Sequence, residues 1–276
     1  MIYQKISLAD AYPFLGEDGK DPVLSAYLAD NLAEMNWDGR KHPCILICPG
    51  GAYRYCSLRE QEPIALAFLP AGYHVFVLNY SVAPHRYPTQ LIEVAAALEV
   101  IHANAEKWYC DVDHIAIMGF SAGGHLAAHY SNAYAAPQVR QVFPQSKPVF
   151  ATVLGYPVIT GMPPYAGIST ANLLGEDEPR LCRAVSCDTL VSEDTPPTFI
   201  WHTSPDRSVP VQHSLMYATA LAEHKIPFAL RIYHAGDHGL ATVDDQTCNL
   251  LTPDVRRGAA WIPDAQAFLR DMMQDR

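Results

Sequence analysis

The chain has 276 residues, 49% hydrophobic and 17% charged, which is material for a large core and an ordinary length for a single α/β domain covering 1–276. Nineteen basic against 29 acidic side chains give a formal net charge of −10, which disfavours nucleic acid or an anionic membrane as a partner. The seven cysteines are odd in number and several sit in apolar runs, so they read as reduced packing residues without a disulfide framework.

The first ten residues, MIYQKISLAD, hold no basic region followed by a long apolar run. Neither a signal peptide nor a membrane anchor is therefore expected, and cytoplasmic residence is. Strands are expected near 2–8 and 23–29, and Cys44-Ile45-Leu46-Ile47-Cys48 is a continuous apolar run of the buried kind. This third strand breaks into Pro49-Gly50-Gly51-Ala52-Tyr53, whose small residues leave backbone N–H groups open to close approach. Cys44 and Cys48 lack a second pair at metal-ligand spacing and would stand about 13 Å apart along a strand. No zinc site, or other metal site, is expected. A helix near 62–70 and a strand near 74–80 follow, then a helix near 88–104 in which Leu91, Val94, Ala95, Leu98 and Ile101 recur at helical spacing as core packing.

The next strand, near 115–120, runs into Gly119-Phe120-Ser121-Ala122-Gly123 and a helical pattern over 122–134. A strand, a sharp turn and a helix with serine at the apex make a nucleophile elbow. The flanking glycines suit a turn in which any side chain would strike the adjacent strand or helix, and Gly124 adds clearance. After a strand near 151–155 comes the long stretch from Tyr156 to Pro196, Pro- and Gly-rich at first and helical around Arg180 to Val185. It is expected to form a small cap insertion at about 156–196 over the site. Strands near 197–203 and 228–233 and helices near 211–224 and 264–274 complete the chain. Alternating strands and helices predict an α/β fold, an eight-stranded mostly parallel sheet with helices on both faces.

A serine hydroxyl is a weak nucleophile until an imidazole takes its proton and a carboxylate orients that imidazole. After an elbow of this kind the acid and then the histidine follow in the chain. Asp206, on a turn just past the 197–203 strand, is the candidate acid, with Asp194 as a rival that precedes the strand. His238, in the loop after the last strand and next to Gly239, is the candidate base; His234 at the strand end is the alternative, and Asp237 is a poor substitute for Asp206. The oxyanion formed in acyl transfer needs N–H donors, for which Gly51, Ala52 and Ala122 are the candidates. Tyr53, Tyr80 and Tyr156, just past strand ends, either line a substrate pocket or pack the core. No phosphate-cradling G-x-x-x-x-G-K and no dinucleotide fingerprint is present, so no cofactor is expected.

Pro49-Gly50-Gly51-Ala52-Tyr53, Glu60-x-x-Pro63-Ile64-Ala65, Leu78-Asn79-Tyr80, Gly119 to His125, Gly155-Tyr156-Pro157-Val158 and the Asp206 and His238 segments together resemble the α/β-hydrolase esterases. The resemblance runs from about residue 20 to the end and is to acetylesterase and acetyl-xylan-esterase-like enzymes in particular, relatives of the hormone-sensitive lipase-type esterases. One departure is that the H-G-G-G loop of the lipase type stands here as Pro49-Gly50-Gly51-Ala52. Alanine keeps its N–H, so an oxyanion hole survives while its donors are less defined. The resemblance implies a serine carboxylic ester hydrolase for short acyl groups, acetyl above all, on a small-molecule or oligosaccharide ester. A serine peptidase or amidase on the same fold is the alternative, and a binding protein that kept the fold is argued against by an intact Ser121, Asp206 and His238. Association into a homo-oligomer is implied as well, although the residues mark no interface.

Overall fold

Strands β1 (Ile2–Ser7), β2 (Val23–Leu28), β3 (His42–Cys48), β4 (His74–Asn79), β5 (Cys110–Phe120), β6 (Ala151–Gly155), β7 (Thr198–Thr203) and β8 (Phe228–Tyr233) form one sheet in the order β1-β2-β4-β3-β5-β6-β7-β8. The structure is a computed structural model and describes residues 1–274. Only β2 runs antiparallel to its neighbours; from β4 to β8 every pairing is parallel.

Parallel strands need long crossovers, and the helices that supply them cover both faces. Along β3, β4 and β5 the side chains alternate between two cores. Leu46, Phe76 and Ile117 meet Leu91, Val94, Leu98 and Leu126 from helices Thr89–Ala103 and Ala122–Ala133. Ile45, Val75 and Met118 meet Ile64, Phe68, Trp261 and Leu269 from helices Glu62–Phe68 and Trp261–Gln274. The apolar runs of the central strands thus serve two layers at once, with each large side chain worth about 1.5–3 kcal/mol on burial.

Three boundaries differ from the sequence expectation. Strand β5 begins at Cys110, because Cys110 and Asp111 pair with His42 and Pro43 before the register jumps to Ile115 opposite Cys44. The polar Asp113 and His114 sit in that irregularity, which hides the early pairing from an apolar pattern. The last helix begins at Trp261, with Pro263 in its first turn, where a missing N–H costs nothing. Between β6 and β7 helices occupy Ile168–Leu174 and Glu178–Leu181 instead of continuing through Val185. The Ser186 hydroxyl donates to the Cys182 carbonyl while its N–H turns to Arg183, so the chain tightens out of the helix.

All seven cysteines are free thiols. No helix among the described residues is long and apolar enough to cross a membrane.

An aromatic layer backs the end of β5. Trp201 of β7 stacks on Trp261 at 5.0 Å, and Phe120 and Tyr156 meet these indoles edge-on at 5.8 and 5.0 Å. Against this wall the β5 turn is tight: a Cβ on Gly119 would lie 2.1 Å from the Gly123 carbonyl oxygen. Gly119→Ala should therefore cost about 3 kcal/mol or more. At Gly258 a Cβ would find Val243 at an ordinary 3.5 Å, and Gly258→Ala should be neutral or gain about 0.5 kcal/mol. Urea denaturation of both variants checks the contrast; equal midpoints would contradict it.

Burial also sets a pH response. It pushes the imidazoles of His74, His125 and His213 from 6.5 down to about 4 and that of His129 to about 3. Below 6.5 the unfolded chain takes up protons that these native imidazoles refuse, so stability falls as pH falls from 6.5 towards 4. The Glu93 carboxyl, enclosed around Ser81, acts oppositely: burial raises it to about 7, and its contribution is lost as pH rises from 4.5 through 7. Four imidazoles, each worth about 1–2 kcal/mol at pH 5, outweigh it. The urea midpoint should drop clearly between pH 7 and pH 5, and a flat or rising midpoint would contradict the balance.

Candidate active site

Ser121 sits at φ 54°, ψ −120°, between the end of β5 and helix Ala122–Ala133. This conformation is strained for a residue with a side chain, and it lifts the hydroxyl above the carboxyl edge of the sheet. Its backbone is held at both ends, the N–H donating to Gly155 at 3.0 Å and the carbonyl accepting from Val158 at 3.0 Å. Gly123 allows the helix to approach, since a Cβ there would lie 2.1 Å from the Cys48 carbonyl oxygen and 2.3 Å from that of Pro49.

The structure brings Ser121, His238 and Asp206 into one line. His238 Nε2 is 2.8 Å from Ser121 Oγ, and His238 Nδ1 is 2.7 Å from Asp206 Oδ2. The Asp206 turn after β7 folds back so that Oδ1 accepts the N–H groups of Ser208 and Val209, both at 2.9 Å. Burial alone would raise the Asp206 carboxyl. The contacts from His202 and His238, with the Val209 amide, outweigh it and hold the group well below the ordinary carboxylate range. An ionised Asp206 fixes the Nδ1–H tautomer of His238 and leaves Nε2 free to accept the serine proton.

The rival residues lie elsewhere. Asp237 is 57% exposed, pairs with Arg207 at 3.1 Å and caps its own loop through the His238 N–H. His234 is 68% exposed and faces Asp254. Asp194 lines a cavity of about 640 Å³ with Val112, Lys147, Pro197 and Pro227, at the opposite, amino ends of the strands. In parallel sheets ligands bind at the carboxyl ends, so that cavity is the wrong edge for the serine.

After β3 the chain makes an unusual bend, with φ 122° at Gly51, 54° at Ala52 and 55° at Tyr53. Gly51 is obligatory, since a Cβ there would fall 2.0 Å from the Tyr55 carbonyl oxygen. The N–H groups of Gly51, Ala52 and Ala122 have no acceptor among the described residues. Gly51, Ala52, Ser121 and His238 border one cavity of about 270 Å³, with Ile168, Ser169 and Val209 on its other side. A second cavity of about 590 Å³ adjoins it through Arg59, His238 and Gly239 and continues over Leu240, Leu250 and Val255. Among the described residues no group of three or more His, Cys, Asp or Glu side chains is placed to hold a metal ion.

Tyr53, Tyr80 and Tyr156 resolve as packing residues with polar ends, exposed by 4% or less. Tyr53 bonds His125 Nδ1 at 2.7 Å, Tyr80 donates to the Pro49 carbonyl at 2.6 Å and Tyr156 donates to Glu60 at 2.7 Å. His125 extends the first of these contacts through Nε2 to the Val185 carbonyl at 2.7 Å, and Asn172 donates to the Ala52 carbonyl at 2.8 Å. The segment between β6 and β7 thereby grips the Gly51–Ala52 loop from above.

Three supporting residues escape a reading of local pattern. His202 is fully buried in β7, with Nε2 3.3 Å from Asp206 Oδ2. Asn172 lies in a helix with no local signal. Glu60, exposed by 3%, accepts the Gly50 N–H at 2.7 Å. A charged residue beside an apolar helix start normally reads as solvated, and only its burial marks it out.

Comparison with known proteins gives a consistent neighbourhood. The family described as BD-FAE matches residues 32–221. The chain is 35% identical over 250 residues to endo-1,4-beta-xylanase B of Butyrivibrio fibrisolvens, with 85% of this chain and 37% of that protein aligned. It is 31% identical to the acetylxylan esterase of Xylanibacter ruminicola, over 82% of this chain and 45% of that one. It thus spans less than half the length of these two curated relatives. A solved structure, the acetyl ester-xyloside bifunctional hydrolase of Caldicellulosiruptor lactoaceticus, superposes with a TM-score of 0.84 at 32% identity, over 97% of this chain and 96% of that one.

The two carboxylates near His238 separate in a direct test. Asp206→Asn keeps the shape but favours the wrong imidazole tautomer and should lower any serine-dependent kcat by up to about 10⁴-fold. Asp237→Asn, which touches only the loop backbone and Arg207, should change it by less than about tenfold. Steady-state kinetics of both variants decide, and a larger loss at Asp237 would reverse the assignment.

Proposed function

Because the chain belongs to the BD-FAE family and shares the α/β-hydrolase fold, we propose that it is a serine carboxylic ester hydrolase that removes short acyl groups, acetyl first, from carbohydrates or other small alcohols. The observation that carries this reading is the unbroken line from Ser121 Oγ through His238 to the buried Asp206, beside N–H groups that have no partner of their own.

In the proposed cycle Ser121 Oγ attacks the ester carbonyl as His238 Nε2 takes its proton. Asp206 stabilises the imidazolium that results. Charge passes to the carbonyl oxygen, where the N–H groups of Gly51, Ala52 and Ala122 receive it, each such donor being worth about 3 kcal/mol in the transition state. Collapse of the tetrahedral species expels the alkoxide, to which His238 returns the proton, leaving an acyl-Ser121 ester. Water then repeats the sequence with His238 as base and releases the carboxylic acid.

Two cavities support a reading of substrate size. The leaving oxygen must reach His238, which places the alcohol on the histidine side, towards the 590 Å³ cavity. The acyl group is left with the 270 Å³ space, which Ile168 and Ser169 of helix Ile168–Leu174 help to close as a small cap. Relatives named for acetylxylan and acetyl ester-xyloside hydrolysis support an acetylated sugar as substrate.

A p-nitrophenyl series from acetate to octanoate, run with acetylated xylo-oligosaccharides, tests this. A pocket able to hold the chain would gain about 1 kcal/mol per methylene, whereas a closed one should show kcat/KM falling steeply after two to four carbons. The expected result is the fall, with Ser121→Ala reducing kcat at least about 10³-fold. A profile that climbs through octanoate would refute the short-acyl reading. More than a tenth of the wild-type rate in Ser121→Ala would refute the serine mechanism.

A further inference from the structure

We propose that Glu60 is a positioning residue for this reaction, a single buried carboxylate that holds the oxyanion loop and the histidine loop in mutual register. The inference rests on the esterase reading above.

Glu60 ends the short turn Leu58–Glu60 and is exposed by only 3%, with no Lys, Arg or His side chain within ion-pair distance among the described residues. A carboxylate so placed is costly unless its oxygens are satisfied by hydrogen bonds. Each oxygen has one. Oε2 accepts the Gly50 N–H at 2.7 Å, immediately before the Gly51–Ala52 bend. Oε1 accepts the Tyr156 hydroxyl at 2.7 Å, and that hydroxyl accepts the Ala241 N–H at 3.0 Å.

The direction of these bonds explains why a carboxylate is needed. Gly50 N–H and Tyr156 O–H both donate towards residue 60, because the tyrosine oxygen is already engaged as acceptor by Ala241. Only an acceptor with two free oxygens satisfies both donors. A glutamine could take one bond, but its amide group would turn a donor towards the other.

The three linked segments are those the chemistry needs. Gly50 precedes the proposed oxyanion donors, Ala241 lies three residues after His238, and Tyr156 rests its ring against the His238 ring at 4.9 Å. The same turn makes a second grip on the histidine loop, Arg59 Nη1 donating to the Gly239 carbonyl at 2.9 Å. A Cβ on Gly50 would meet Glu60 Oε2 at 2.7 Å and Ser121 Cβ at 2.9 Å, so loop, carboxylate and nucleophile are packed without slack. A shift of about 1 Å in such an assembly costs on the order of 100-fold in rate.

The test uses the purified full chain and an acetate ester the wild type hydrolyses. Glu60→Gln and Tyr156→Phe, both nearly isosteric, should each lower kcat by about 10- to 100-fold with KM changed less than about threefold. The double variant should lose little more than either single one, since both break the same link. Affinity for a trifluoromethyl ketone, whose hemiketal places an oxyanion in the hole, should fall in parallel with kcat/KM. Burst titration supplies the number of competent sites. A purely structural role would lower that number and the melting temperature while leaving kcat per titrated site unchanged, and this overturns the proposal. So does a Glu60→Gln enzyme within twofold of wild type per site, or an insoluble one, which would assign the carboxylate to folding. A wild type inactive on every ester would instead overturn the parent reading.

Discussion

The backbone of Ser121 is the constraint on which the site depends. A side chain held at φ 54°, ψ −120° costs on the order of 1–3 kcal/mol, and the cost persists only because the surroundings leave no alternative. Its N–H and carbonyl are claimed by Gly155 and Val158 at the end of β6, and the contacts that would admit only glycine at positions 119 and 123 wedge the helix against β3. The layer of Phe120, Tyr156, Trp201 and Trp261 behind it supplies burial well in excess of the strain. Central-strand packing and the placement of the serine are therefore one problem with one solution.

A second theme is how the fold treats the two buried carboxyl groups nearest the site, Asp206 and Glu60. Asp206 is surrounded by two imidazoles and two amides, and these contacts overcome desolvation and keep it ionised. Glu60 has one amide and one phenol, so burial prevails and its carboxyl is raised above the ordinary range. The difference in donor count accounts for the opposite directions. It also separates their parts in the proposed chemistry: Asp206 faces the imidazole that must become cationic, whereas Glu60 faces backbone and tyrosine.

Three buried histidines away from the serine show how neutral imidazoles serve as structural connectors. His213 Nδ1 accepts the N–H groups of Ile159 and Thr160, His125 joins Tyr53 to Val185, and His74 spans Ala29 and Trp108. His125 and His74 each use one nitrogen as acceptor and the other as donor, which only the neutral ring can do. Burial is what depresses their proton affinity, and the bonds to backbone carbonyls oppose it only in part.

Local pattern was enough to read the order of strands and helices, the glycine-flanked elbow at Ser121, and the turn residues Asp206 and His238, because strand burial, sharp turns and loop chemistry each leave a signature within a few adjacent residues. It misjudged the start of β5, where polar residues occupy a register shift, and the helix before Ser186, where a hydroxyl rebonds the backbone. It left Tyr53, Tyr80 and Tyr156 open between pocket and packing, since a tyrosine past a strand end has the same neighbours in either case. Glu60, His202 and Asn172 were beyond its reach. Partners of Glu60 and Asn172 lie far along the chain, 96 positions away for Glu60 and Tyr156 and 120 for Asn172 and Ala52, while His202 meets Asp206 four positions on only because the turn after β7 folds back. Whether a charged side chain is solvated or enclosed between three loops is decided only when the sheet has assembled and brought those loops to one edge.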